Sequence, residues 1–308
     1  MTWIPLRDGE KLHVTCLGRG DPVVLLHGFG SRGAHWLPNV VPLAHRYRFY
    51  LPDLRGFGGS HHTDLSGRDV FSTYANDLDD LLDHFQLDRV ILGGISTGAY
   101  VCLNYNALHG FSRVRSYLNI EHVADSRHSE QGATGIFGER QDEIFDRFAA
   151  LLEMVAESGE DTPYWELPLE VRLALRTAVT DIYLYALNRP WNRLGVAAGS
   201  LLAERLLTQL LMPVDRWSAY LMVLRAFMAG RNTWHALGDI DAPTTLMMGR
   251  HSRYFTLQAQ QAMQELIPRA ELVIFEHSGH VPIIDEPLRF QQEFTRFLTE
   301  SVRQPVPS

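Results

Sequence analysis

Apolar positions along this chain switch between two rhythms. Pro22–Leu26 (PVVLL), Tyr47–Leu51 (YRFYL), Arg89–Leu92 (RVIL) and Val114–Ile120 are short, mainly apolar runs. Such runs suit strands covered on both faces. Between them the apolar positions recur at helical spacing. Tyr74, Leu78, Leu81, Leu82 and Phe85 form one stripe, which predicts a helix with Ser72 as its cap. Thr97 to His109 predicts a second helix. Near the start, Trp3–Leu6 and Lys11–Leu17 flank Arg7-Asp8-Gly9-Glu10, and the Asp-Gly pair predicts an antiparallel hairpin.

After Ile120 the rhythm changes. From about His122 to His235 the pattern predicts helices and no strand: Gln141–Val155, Leu169–Ala186, Leu201–Leu211 and Val214–Met228. Alternation then resumes, with strands at Thr244–Met248 and Glu271–Phe275 and helices at Leu257–Ile267 and Leu288–Leu298. Strand–helix alternation predicts an α/β fold, a mostly parallel sheet with helices on both faces. The helical block interrupts it, so residues 1–122 and 236–308 are expected to form one core. Residues 123–235 are expected to be an inserted helical cap. A chain of 308 residues suits one large domain with an insertion.

Composition removes several function classes. Apolar residues make up 45% and charged residues 21%, enough for a large core and too apolar for a disordered chain. Lys+Arg number 28 against 36 Asp+Glu, a net charge of −8, so nucleic acid is not an expected partner. The two cysteines, Cys16 and Cys102, make no disulfide framework and no zinc spacing, and are expected as small buried hydrophobes. The N-terminus lacks the basic and apolar regions of a signal peptide. No apolar run reaches the roughly 18 residues of a membrane span. A cytoplasmic protein is expected.

Three short motifs carry chemistry. Gly94-Ile95-Ser96-Thr97-Gly98 matches G-x-S-x-G between a predicted strand and a predicted helix. That context exposes a serine hydroxyl on a tight turn beside a free backbone N–H. The bland alternative, a chance glycine-rich turn, does not explain why strand and helix flank it. His27-Gly28-Phe29-Gly30 closes an earlier strand. The backbone N–H of Phe29 is expected to pair with that of Thr97 as an oxyanion hole, with His27 orienting the loop. His280, in Ser278-Gly279-His280, follows the last strand and is expected as the base. Among 14 histidines its position carries this assignment, and His277 is the weaker candidate.

With HGFG at 27–30, DLRGFGGS at 53–60, GISTG at 94–98 and SGH at 278–280, the sequence resembles the α/β-hydrolase superfamily. The resemblance spans all but the detailed sequence of residues 123–235. It implies a serine nucleophile, a histidine base and a triad acid. The family usually carries that acid after the strand following the cap, where this chain has Ser252. Some members, the haloalkane dehalogenases among them, carry it after the strand preceding the cap. Here that position is Glu121, which is expected to orient His280, with Asp125 as the alternative and a missing acid as the remaining one. Ser252 would then be without a role. The dehalogenases and epoxide hydrolases of this fold use an aspartate nucleophile, so Ser96 implies acyl chemistry instead.

The implied function is hydrolysis of a carboxylic ester with an apolar acyl or alcohol part, without a cofactor. Thioesterase, lactonase, serine C–C bond hydrolase, cofactor-free oxygenase and ligand receptor are the alternatives that the fold leaves open. Phe29 and Trp36 are expected to line the apolar pocket with some of the cap aromatics Phe137, Tyr164, Trp165, Tyr183, Tyr185, Trp191, Trp217, Tyr220 and Phe227. Asp53 and Arg55 are expected to fix a loop. His61, His62 and Asp64 lack metal-ligand spacing, and no metal is expected.

Overall fold

Eight strands pair in the order β1-β2-β4-β3-β5-β6-β7-β8 in the computed structural model, which describes residues 2–65, 67–128, 134–159, 162–200 and 218–303. The strands are β1 (Thr2–Pro5), β2 (Lys11–Gly18), β3 (Asp21–Leu26), β4 (Tyr47–Pro52), β5 (Val90–Ile95), β6 (Val114–Ile120), β7 (Thr244–Gly249) and β8 (Ala270–Phe275). The β1–β2 and β2–β4 pairs are antiparallel, and every other pair is parallel.

The apolar runs are continuous because the sheet has a core on each face. Val24, Leu26, Tyr50, Leu92, Tyr117 and Leu246 enter one core. Their chain neighbours Val23, Leu25, Phe49, Ile91, Leu118 and Met247 enter the other. Successive side chains of a strand point to opposite faces, so both sets must be apolar.

Helices α1 (Val70–His84) and α2 (Thr97–His109) cover the first face. Residues Thr97 to Asn106 of α2 are all buried, so this helix runs through the core and not over it. The cap of α1 is Asp69, not Ser72: its carboxylate accepts the Ser72 N–H at 2.8 Å. The charged oxygen of Asp69 takes the cap position three residues upstream, and Ser72 becomes the donor.

Between β6 and β7 the described helices are α3 (Gln141–Ser158), α4 (Leu169–Ala186), α5 (Pro190–Ser200) and α6 (Ser218–Ala229), and no strand occurs there among the described residues. The helix expected at Leu201–Leu211 lies outside the described residues, as do Trp217 and the first residues of Val214–Met228. The chain ends its described part with α7 (Leu257–Leu266) and α8 (Pro287–Arg303). Phe290, Phe294 and Phe297 of α8 pack on the second face with Trp36.

Candidate active site

Ser96 stands at the sharp turn from β5 into α2, with φ 52° and ψ −120°. A residue with a side chain seldom adopts that conformation, and strain of this kind persists only where the surroundings enforce it. The two glycines of the motif are what the turn requires. A Cβ on Gly94 would stand 2.3 Å from the Gly98 carbonyl carbon, and one on Gly98 would stand 2.5 Å from the Leu26 oxygen. The serine backbone is fastened by its N–H to the Ile120 oxygen at 2.8 Å.

His280 reaches Ser96 from the loop after β8. Its Nε2 lies 2.9 Å from Ser96 Oγ, and its Nδ1 lies 3.1 Å from Glu121 Oε2. A carboxylate only accepts, so Nδ1–H donates to Glu121 and Nε2 is left to accept the Ser96 hydroxyl proton. His280 is 5% exposed and Glu121 is fully buried. Tyr254 lies flat against the imidazole, with ring centroids 4.1 Å apart and planes at 16°. Its hydroxyl donates to the Ile182 oxygen of α4 at 2.9 Å.

Glu121 is at the end of β6, at φ 57°. Three donors converge on its carboxylate. The Gly249 N–H meets Oε1 at 2.5 Å, while Ser252 Oγ–H and His280 Nδ1–H meet Oε2. Ser252 therefore has a role that sequence reasoning missed: it donates to the carboxylate at 2.8 Å. Its signal was its place in the chain, since it occupies the position where the family usually carries the acid.

Asp125 and His277 are not brought to this cluster. Asp125 accepts the Arg127 N–H at 3.0 Å, and the exposed His277 backbone bonds Glu286. His122, next to Glu121, is packed flat against Tyr100, and burial lowers its pKa to about 3. It is a neutral core histidine.

The HGFG loop packs against the elbow. A Cβ on Gly28 would lie 3.4 Å from Ser96 Cβ. His27 Nδ1–H donates to the Gly28 oxygen at 2.8 Å, and Nε2 accepts the Leu54 N–H at 2.9 Å. Burial depresses its pKa, so it is a neutral strut for the loop. Phe29 and Thr97 both border the cavity above Ser96. The Thr97 N–H lies in the first turn of α2, where a helix supplies no acceptor.

Asp53 accepts the Gly33 N–H at 2.6 Å and the Gly59 N–H at 2.7 Å, which ties two loops together. Arg55 is buried and forms a double hydrogen bond to Asp77 at 2.7 Å. Among the described residues, no group of three or more His, Cys, Asp or Glu side chains has the arrangement of a metal site.

A cavity of about 540 Å³ opens over Ser96 and His280. Its wall is mostly apolar, with Phe137, Phe145, Phe148, Ile182 and Phe227 from the helical insertion. Trp36 borders it, but the ring is 2% exposed and stacked on Phe294. Of the insertion aromatics expected to line it, Phe137, Tyr183 and Phe227 face the cavity, Tyr185 and Tyr220 do not, and Tyr164 is core. Trp165 and Trp191 are exposed.

The sequence model described as the alpha/beta hydrolase family matches residues 23–292. A non-heme chloroperoxidase, CPO-A1 of Kitasatospora aureofaciens, is 26% identical over 96% of this chain and 98% of that protein. A pimeloyl-[acyl-carrier protein] methyl ester esterase of Vibrio vulnificus is 25% identical over 93% of this chain and 97% of that protein. Among solved structures, an esterase from Exiguobacterium antarcticum superposes with a TM-score of 0.74 at 22% identity, covering 97% of this chain and 99% of that one. That likeness bears on the fold.

Proposed function

The chain belongs to the alpha/beta hydrolase family, and from that premise we propose that it is a serine hydrolase of carboxylic esters with an apolar acyl or alcohol part. The observation that carries the reading is the unbroken relay from Ser96 Oγ through His280 to Glu121, at 2.9 and 3.1 Å, beneath an apolar cavity. The resemblance to a methyl ester esterase supports it.

In this reading Ser96 Oγ attacks the ester carbonyl and its proton passes to His280 Nε2. Glu121 stabilises the resulting imidazolium and holds its Nδ1–H. The negative oxygen of the tetrahedral intermediate is held by the Phe29 and Thr97 backbone N–H groups. Collapse breaks the bond to the alkoxy group, which leaves as the alcohol with the proton from Nε2. His280 then deprotonates a water molecule, which attacks the acyl-enzyme. The acid departs and Ser96 recovers its proton. The helical insertion acts as the cap that excludes bulk water during these steps.

The test is intact mass after a fluorophosphonate probe, followed by peptide mapping, alongside p-nitrophenyl ester hydrolysis. A single adduct on Ser96 that abolishes turnover is expected. A folded protein that takes no adduct and hydrolyses no ester, thioester or lactone would overturn the reading and favour a binding protein.

A further inference from the structure

We infer that Asp285 is a positioning residue that locks the joint between α4 and α5 to the loop carrying His280, so that the seat of the cap and the alignment of the imidazole are set together. The inference rests on the acyl-transfer reading of Ser96 and His280.

The residue is 4% exposed, and its carboxylate is filled by donors from two directions. On the loop side, Oδ2 accepts the Gly279 N–H at 2.9 Å, immediately before His280. On the insertion side, Oδ2 accepts the Asn188 N–H at 2.9 Å, and Oδ1 accepts Asn192 Nδ2–H at 2.8 Å and the Arg189 N–H at 3.3 Å. The Asp285 main-chain oxygen takes Arg189 Nε–H at 3.1 Å. An ionised carboxylate is suited to this task because it offers several acceptor sites and its hydrogen bonds to N–H are charge-assisted.

A second set of contacts crosses the same joint. The His280 N–H donates to the Ala186 oxygen, the last residue of α4, at 2.7 Å. Asn188 Nδ2–H donates to the His277 oxygen at 3.1 Å. Gly279 admits the approach, since a Cβ there would lie 2.5 Å from the Ala186 oxygen. The backbone of His280 and of the residues just before it thus takes bonds that end on the helical insertion or on the carboxylate that grips it. Displacing the joint displaces His280 Nε2 relative to Ser96 Oγ, and an error of about 1 Å in such an alignment can cost about a hundredfold in rate.

Two variants test this. Asp285→Asn keeps the volume but turns one acceptor into a donor that faces N–H groups. The double variant Asn188→Ala/Asn192→Ala removes side-chain tethers of the insertion and leaves the Gly279–Asp285 bond in place. Fluorophosphonate titration counts working sites, so kcat per titrated site separates misalignment from partial unfolding. For p-nitrophenyl acetate, Asp285→Asn is expected to lower kcat per site about 10- to 100-fold, the double variant about fivefold, and KM by less than about threefold in either. Wild-type rates per site in the double variant would overturn the coupling, even if Asp285→Asn is slow. If Asp285→Asn does not fold, the double variant decides alone. A wild-type protein inert to the probe and to esters would sink the acyl-transfer reading itself, a result distinct from active variants with unchanged kcat.

Discussion

Glu121 combines a left-handed backbone, complete burial and three converging donors. A buried carboxylate without partners would be costly, and Gly249, Ser252 and His280 supply the compensation. Their contributions to the chemistry differ in kind. In the proposed mechanism, removing the Glu121 charge takes away both the orientation of the imidazole and the stabilisation of its charged form. Glu121→Gln is therefore expected to lower kcat by about 10³- to 10⁴-fold with the fold intact. Ser252→Ala removes one hydrogen bond to a charged group and is expected to cost about tenfold, roughly 1.5 kcal/mol. Steady-state kinetics on a p-nitrophenyl ester, with circular dichroism as the folding control, measures both. A Gln variant within tenfold of wild type would mean that the relay does not run through Glu121.

Among the elements, α1 shows how a single end residue ties the core to the insertion. Asp69 caps the helix through the Ser72 N–H and pairs with Arg231, just beyond α6, at 2.7 Å. Arg231 also donates to the Ser72 hydroxyl and holds Tyr100 through its backbone N–H at 2.9 Å. Loss of a helix cap costs about 1 kcal/mol, and the pair with Arg231 is half open to solvent and adds little. Asp69→Ala is expected to lower Tm by a few degrees, while Asp69→Asn, which keeps a capping oxygen, should recover most of it. Thermal denaturation of the three proteins checks this. An Ala variant that melts with wild type would place the helix start elsewhere.

Over the whole molecule, the sheet presents Ser96 at its carboxyl edge, and side chains of the insertion line an apolar chamber above it. The volume of about 540 Å³ is set by side chains from both parts. Ile182 of α4 is half-buried in that wall, on the same turn whose oxygen holds Tyr254. Ile182→Trp fills chamber space and leaves that backbone contact in place. For p-nitrophenyl octanoate it is expected to lower kcat/KM about tenfold, and for the acetate by less than about threefold, since each methylene in a fitted pocket is worth about 1 kcal/mol or more. A uniform loss over all chain lengths would show that the chamber does not hold the acyl chain.

How much of this was legible in the sequence depends on how local its cause is. Strand runs such as Val23 to Leu26 were legible because burial on both faces leaves a continuous apolar signature. The elbow at Gly94–Gly98 was legible because a strained turn limits the residue types that fit. The cap of α1 lies three residues upstream of the one the pattern predicts, because Asp69 and Ser72 are both good cap residues and only the backbone path chooses between them. The sequence by itself therefore determined the sheet, the turn that carries Ser96, and the chain order of Ser96, Glu121 and His280. Only the tertiary structure decided that Glu121 and not Asp125 faces His280, that Ser252 supports it, and that Asp285 joins the insertion to the histidine loop. Those contacts link residues that are distant in sequence and leave no periodic trace in it. Their geometry follows from how the sheet and helices stack, which local pattern does not encode.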